Sequence, residues 1–167
     1  YFYWNFSPII LVEAVNDEVG KEGRMRGERV LGFPHLYDSD YYWFHYLEEA
    51  EKRGLHASNL KKRGWGGSFK GASMACRNYF LIKNSKSYIF ADQKEYLTKD
   101  GIVTKAWDLM NWIDTHTAWG KRRLVDTELH KVSGFQKTLK TGVKVQSGFK
   151  SEIIAVSLAG DSSKAHP

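Results

Sequence analysis

The sequence predicts an α+β fold, a mostly antiparallel sheet with two principal helices packed on it. Three observations carry that expectation. Two segments place apolar residues at three- and four-residue spacing and run into glycines that stop helices. Short β-branched and aromatic runs occupy much of the remainder. The 42% hydrophobic and 26% charged content belongs to a folded chain and not to a disordered one. At 167 residues the simplest organisation is one domain over 1–167, able to bury a core without staples, with 160–167 a frayed tail.

Ser7 to Val15 is a β-branched apolar run bounded by Pro8 and by Asn16-Asp17, which suits a buried strand. Residues 16–33 mix charges with four glycines and show no period, so a loop with a helical turn is expected there. Arg24, Arg26 and Arg29 make it a second candidate phosphate-contacting segment. The first helix follows: Ser39 can cap it, Asp40 suits its positive end, and Gly54 stops it, with Leu55 in place for the hydrophobic contact of a helix-stop motif. Trp43, Tyr46, Leu47 and Ala50 form its apolar stripe. His45, Glu48 and Glu49 share another face, at a spacing that brings an imidazole beside a carboxylate.

Lys61 to Gly71 holds four cations, two aromatics and four glycines in eleven residues and reads as a loop. Asn78–Lys83 and Ser87–Ala91 flank a short polar turn and read as a hairpin. Lys99-Asp100-Gly101 is a turn into the second helix from Ile102, whose stripe is Val103, Ala106, Trp107, Met110 and Ile113, with Gly120 closing the segment. Trp112 and Trp119 lie off that stripe, and Asp108, Asp114 and His116 form another acid–imidazole group. The remainder reads as β: Val143 and Val145 alternate with Lys144, Gly148 breaks the run, and Ser151–Leu158 suits a buried strand.

Composition narrows the function. Cys76 is the only cysteine, so an intrachain disulfide and a cysteine-based zinc site are excluded. The histidines show no metal-ligand spacing, and the motifs of dinucleotide enzymes, P-loop NTPases, α/β-hydrolases and EF-hands are absent. No apolar run is long enough to span a membrane, and residues 1–15 lack the basic start and cleavage site of a signal peptide, which points to an intracellular, cytoplasmic or nuclear protein. The chain begins at Tyr1 and not at Met, as a piece of a longer protein would.

The formal net charge of +6 is unevenly placed. Residues 121–167 hold nine Lys/Arg against four Asp/Glu, or +5, while the first 120 hold sixteen against fifteen, or +1. A basic end on a balanced chain points towards a polyanion, most often nucleic acid. Lys61, Lys62, Arg63, Lys70, Arg122 and Arg123 are the candidate phosphate contacts, and Trp65 and Phe69 the candidate stacking rings. Lys131, Lys137, Lys140, Lys144 and Lys150, with Phe135 and Phe149, extend the basic, aromatic-punctuated surface.

If the protein cleaves its ligand, the candidates are Asp92 and Lys94, an acid-x-Lys pair at a strand end, with Glu48 as a further carboxylate and Mg²⁺ as the cofactor. Two other classes stay open. One is a small hydrolase or carbohydrate-binding protein with Trp65, Trp112 and Trp119 as a sugar platform; the other is a protein-interaction module of viral or mobile-element origin. The order of Arg26-Gly27-Glu28, Gly32-Phe33, His35 and EEAEKRG before Leu55 resembles the small pyrimidine-dimer DNA glycosylases over a quarter of the chain. That family is helical, so the β-rich second half departs from it.

Overall fold

The computed structural model describes residues 1–14 and 27–159, with the side chains of 12–14 and 27–29 outside that description. The expectations for residues 15–26, Arg24 and Arg26 among them, and for the tail at 160–167 fall outside the described residues, as does the side chain of Arg29. The chain gathers into two compact units, Tyr3–Gly67 with Tyr1, and Ser68–Pro167 with Phe2. The fold class is α+β, and four of the five strand pairings among the described residues are antiparallel. No helix among the described residues is long and apolar enough to cross a membrane.

The first unit contains a short helix α1 (Phe2–Phe6), the antiparallel pair β1 (Ile9–Ala14) and β2 (Gly27–Gly32), and helix α2 (Asp38–Lys52). The strand expected at Ser7–Val15 forms as β1, but not as a buried one: Ile10 is 56% exposed and Ile9 and Leu11 are half-buried. Part of the loop expected at 16–33 is instead β2, because Gly27–Gly32 finds a partner from Ile9↔Gly32 to Ala14↔Gly27. A lone segment shows no such pairing.

Helix α2 starts two residues earlier than a Ser39 cap would place it. Tyr37 is the extended residue before the helix, so Ser39 lies in the first turn beside Asp38 and Asp40. Its end is the glycine stop that was expected. Gly54 takes φ +63°, its N–H donates to Glu51 O at 3.0 Å, and the Leu55 N–H donates to Ala50 O at 2.8 Å. The Leu55 side chain nonetheless stays 61% exposed, and Tyr46 lies outside the buried stripe.

Rings fill this unit. Tyr3, Trp4 and Trp43 each lie within 5.6 Å of the Phe44 centroid, and Trp65 meets Trp43 edge-on at 5.5 Å. Such offset and edge contacts let a small unit bury large area per residue. Burial and the nearby Asp40 carboxylate push the Tyr3 hydroxyl up to about 12.

The second unit begins with a correction. Gly67–Leu81 is a 15-residue helix, α3, so the expected loop stops short of Gly71 and the strand at Asn78–Lys83 does not form. Ala72, Ala75, Cys76, Tyr79 and Phe80 are its buried apolar positions, a three- and four-residue stripe across the supposed loop and strand. Gly71 lies close to α5: a β-carbon there would fall 2.8 Å from Ile102 Cδ1, and that side chain would have to shift.

β3 (Lys86–Ala91) therefore has no hairpin partner before it. It pairs in parallel with β8 (Glu152–Ser157), from Lys86↔Glu152 to Ala91↔Ser157, which sets Ile89 beside Ala155 on the buried face. The sheet order is β3-β8-β5-β4, with β4 at Arg123–Asp126 and β5 at His130–Ser133. Between β3 and β4 come α4 (Glu95–Thr98) and α5 (Ile102–His116). The expected second helix is α5: Val103, Ala106, Leu109, Met110 and Ile113 are buried and Trp107 half-buried. It ends at Thr117, before Gly120. A separate antiparallel pair, β6 (Phe135–Thr138) and β7 (Lys144–Ser147), completes the unit.

Polar atoms tie these layers together. Cys76 Sγ donates to Ala106 O at 3.3 Å, joining α3 to α5, and burial pushes its thiol well up, so it stays protonated. Ser151 Oγ donates to Tyr79 O at 2.5 Å, while Ser133 Oγ accepts from Ser151 N at 2.9 Å; both serines are wholly buried. Both serine hydroxyls thus have partners, as burial requires.

Candidate nucleic-acid interface

Lys61, Lys62 and Arg63 lie on the exposed segment between α2 and α3. Gly64 at φ +83° and Gly66 at φ +76° turn the backbone through the left-handed region, which glycine enters without steric cost. The chain then enters the first turn of α3 at Gly67-Ser68, where backbone N–H groups lack intrahelical acceptors. Lys61 folds back along this turn: a β-carbon at Gly67 would fall 2.6 Å from Lys61 Cε. An ammonium at the positive end of a helix dipole is electrostatically unfavourable unless an anion joins it. Among the described residues no carboxylate forms an ion pair with Lys61, Lys62 or Arg63.

The other expected contacts separate. Trp65 is half-buried edge-on to Trp43, so it holds the loop down. Phe69 sits on α3 under Lys105 Nζ, 5.1 Å from the ring centroid, and Lys70 is buried with 2% exposed. Lys70 thus offers nothing to a phosphate in this arrangement.

Arg123 is bound inside the second unit, its side chain 16% exposed. It reaches Asp114 in a short ion pair, Asp126 Oδ2 at 3.2 Å and Asn111 Oδ1 at 3.2 Å. Asp126 also pairs closely with Lys131, whose Nζ lies 4.7 Å from the Trp107 ring centroid. The hydrogen bond from Lys131 leads in holding the Asp126 carboxyl below its ordinary 3.8, against some desolvation and with help from Arg123.

Arg122, by contrast, is exposed. It lines two adjoining concavities of about 570 and 190 Å³ in the second unit, together with Gly134 and Phe135. The larger also touches Gln136; the smaller extends to Lys121 and Phe149, where the ammonium stands 4.1 Å over the ring. Gly134 and Gly148 shape its floor, because a β-carbon on Gly148 would fall 3.0 Å from Gly134 Cα. Lysines 137, 140, 144 and 150 are all exposed nearby in sequence.

The acid-x-Lys pair lies at the end of β3. Asp92 is exposed just beyond β3, and its backbone carbonyl accepts from Ala159 N at 2.6 Å. Lys94 Nζ pairs with Glu128 at 2.6 Å. Glu48, on α2 in the first unit, faces Lys52 at 3.4 Å. Among the described residues no three His, Cys, Asp or Glu side chains form a group that could hold a metal ion.

Of the tryptophans of the sugar-platform reading, Trp65 belongs to the first unit and Trp112 and Trp119 to the second. Trp112 stacks on His116 at 4.7 Å. One network escaped sequence reasoning. Burial pushes the Glu152 carboxyl up, yet hydrogen bonds from Lys86 at 2.8 Å and His130 at 3.0 Å hold it below its ordinary 4.5. These residues meet only through β3–β8–β5 pairing, so no local signal could join them.

No family model matches the chain, and neither a curated protein nor a solved structure is significantly similar to it.

Proposed function

We propose that this protein binds nucleic acid by neutralising backbone phosphates. One observation carries the reading: Lys61, Lys62 and Arg63 are consecutive and exposed, form no ion pair with a carboxylate among the described residues, and lead through left-handed glycines into a helix start. Such backbone suits phosphate oxygens. The concavity at Arg122, with the exposed ring of Phe135, is a second surface of the same chemistry, where cations bind phosphate and an exposed ring stacks on a base. No reaction is assigned.

The test is fluorescence anisotropy with labelled single- and double-stranded oligonucleotides at two salt concentrations, with and without Mg²⁺. Binding that weakens by orders of magnitude with salt supports the proposal. Binding indifferent to salt, or absent at low salt, overturns it and favours a sugar or protein partner. Shortening of the oligonucleotide in Mg²⁺ would bring Asp92 and Lys94 into a catalytic role.

A second reading is favoured by the 61–67 loop alone. Its glycines and cations suit the phosphates of a nucleotide as well as those of a strand. Competition of the labelled oligonucleotide by a nucleoside triphosphate, measured against inorganic sulfate at equal ionic strength, separates the two.

A further inference from the structure

The pair β6–β7 carries more information than a patch of charge. Its register sets Gln136 opposite Gln146 and Thr138 opposite Lys144, with Phe135 opposite Ser147 and Lys137 opposite Val145. Residues alternate faces along a strand and cross-strand partners share one. Gln136, Gln146, Thr138 and Lys144 therefore form one face, and Phe135, Lys137, Val145 and Ser147 the other. Val145 and Ser147 are half-buried, while Lys144, Gln146 and all of β6 are exposed. The outward face is thus wholly polar: two amides side by side, a hydroxyl and a cation.

Both feet of the ribbon are glycines at positive φ, Gly134 at +142° and Gly148 at +107°. There the chain leaves the main sheet, beside the cationic groove of Arg122. From Leu129 to Ser151 the sequence has five lysines and no acid, so nothing on this segment repels a polyanion.

We infer that β6–β7 enters the major groove of duplex DNA and reads adenine through Gln136 and Gln146, with Lys144 and Lys140 on flanking phosphates. Dimensions and chemistry agree. The two strands lie about 4.8 Å apart, so the ribbon with its side chains fits across the major groove, about 12 Å wide, which admits a two-stranded ribbon. A glutamine amide matches the N6 donor and N7 acceptor of adenine, and each such pair discriminates several-fold or more against other bases. A-form RNA closes that groove to side chains, so the ligand is DNA. This inference rests on the nucleic-acid reading and deepens it to duplex sequence recognition.

The experiment is selection from a random-core DNA duplex library with the whole chain, followed by anisotropy on the enriched duplex, a shuffled duplex, the matching RNA duplex and a single strand. The enriched core should contain A·T pairs and bind about tenfold or more tighter than the shuffled one. Gln136→Ala with Gln146→Ala should bring that ratio to about one while leaving the salt slope unchanged. Lys144→Ala with Lys140→Ala should lower the slope by about two and keep the ratio. All four side chains are exposed, so circular dichroism should show the variants folded.

Duplex binding with no enriched sequence, a ratio untouched by the glutamine changes, or equal binding of RNA duplex overturns the inference. So does binding of the single strand alone, which leaves the nucleic-acid reading standing. No binding of any oligonucleotide at low salt overturns both.

Discussion

Two basic triplets of almost the same composition meet opposite fates in this protein. Lys121-Arg122-Arg123 is largely absorbed by its own unit: Lys121 stands over the Phe149 ring, Arg123 is held by Asp114 and Asp126, and only Arg122 is exposed. Lys61-Lys62-Arg63 is exposed throughout, and among the described residues no ion pair with a carboxylate engages it. A cation whose field is already answered by a carboxylate holds the fold and has little left for a ligand. An exposed cation has its attraction still available, so composition alone ranks equally two triplets that the fold treats differently.

The largest expected effect comes from removing the exposed triplet. Changing Lys61, Lys62 and Arg63 together to Ala should weaken oligonucleotide binding about a hundredfold near 0.1 M salt and reduce the salt slope by about two to three, with the unfolding midpoint unmoved. An unchanged slope in a salt titration would break the comparison.

Arg123→Ala should do the reverse. Removing a guanidinium that is 16% exposed leaves Asp114 and Asp126 without it, at a cost of about 2–3 kcal/mol in urea unfolding. The salt slope should hardly change. A variant that lost binding at full stability would place Arg123 on the ligand instead.

A smaller effect marks where α2 hands over to the exposed loop. Gly54→Ala forces a β-carbon into φ +63° and should destabilise by about 1 kcal/mol, read from the urea midpoint, with binding unaltered.

The smallest effect is in acid. Asp126 has a folded pKa held below its ordinary 3.8, so its contribution is fully present above that value and fades as pH falls through the lowered one. Because the Asp126 side chain is 47% exposed, solvent screening keeps that contribution small. Lys131→Met should flatten this part of the stability–pH curve below about pH 4; a wild-type curve already flat there would show that the pair does not stabilise the fold.

Much of the fold was legible. Helices α2 and α5 follow from apolar spacing, the stop after α2 from Gly54, and β8 from the run beginning at Ser151. Each of these is decided by a residue's near neighbours: a three- to four-residue period defines a helix face, and a glycine tolerates the left-handed turn wherever it stands.

What only the tertiary structure decided depends on distant partners. Asn78 to Leu81 reads as strand by composition, yet the stripe through Ala72, Cys76 and Tyr79 packs as α3 and overrides that preference. Deprived of its hairpin, β3 pairs in parallel with β8, more than sixty residues away, and that pairing assembles Lys86, Glu152 and His130. The candidate site divides the same way. Sequence determined where the cations are, because charge is a property of the residue; the fold decided which remain exposed, because an ion pair needs a carboxylate within a few ångströms. Lys70 and Arg123 were withdrawn by burial and pairing, while Gln136 and Gln146 acquired a shared face only once their strands were in register.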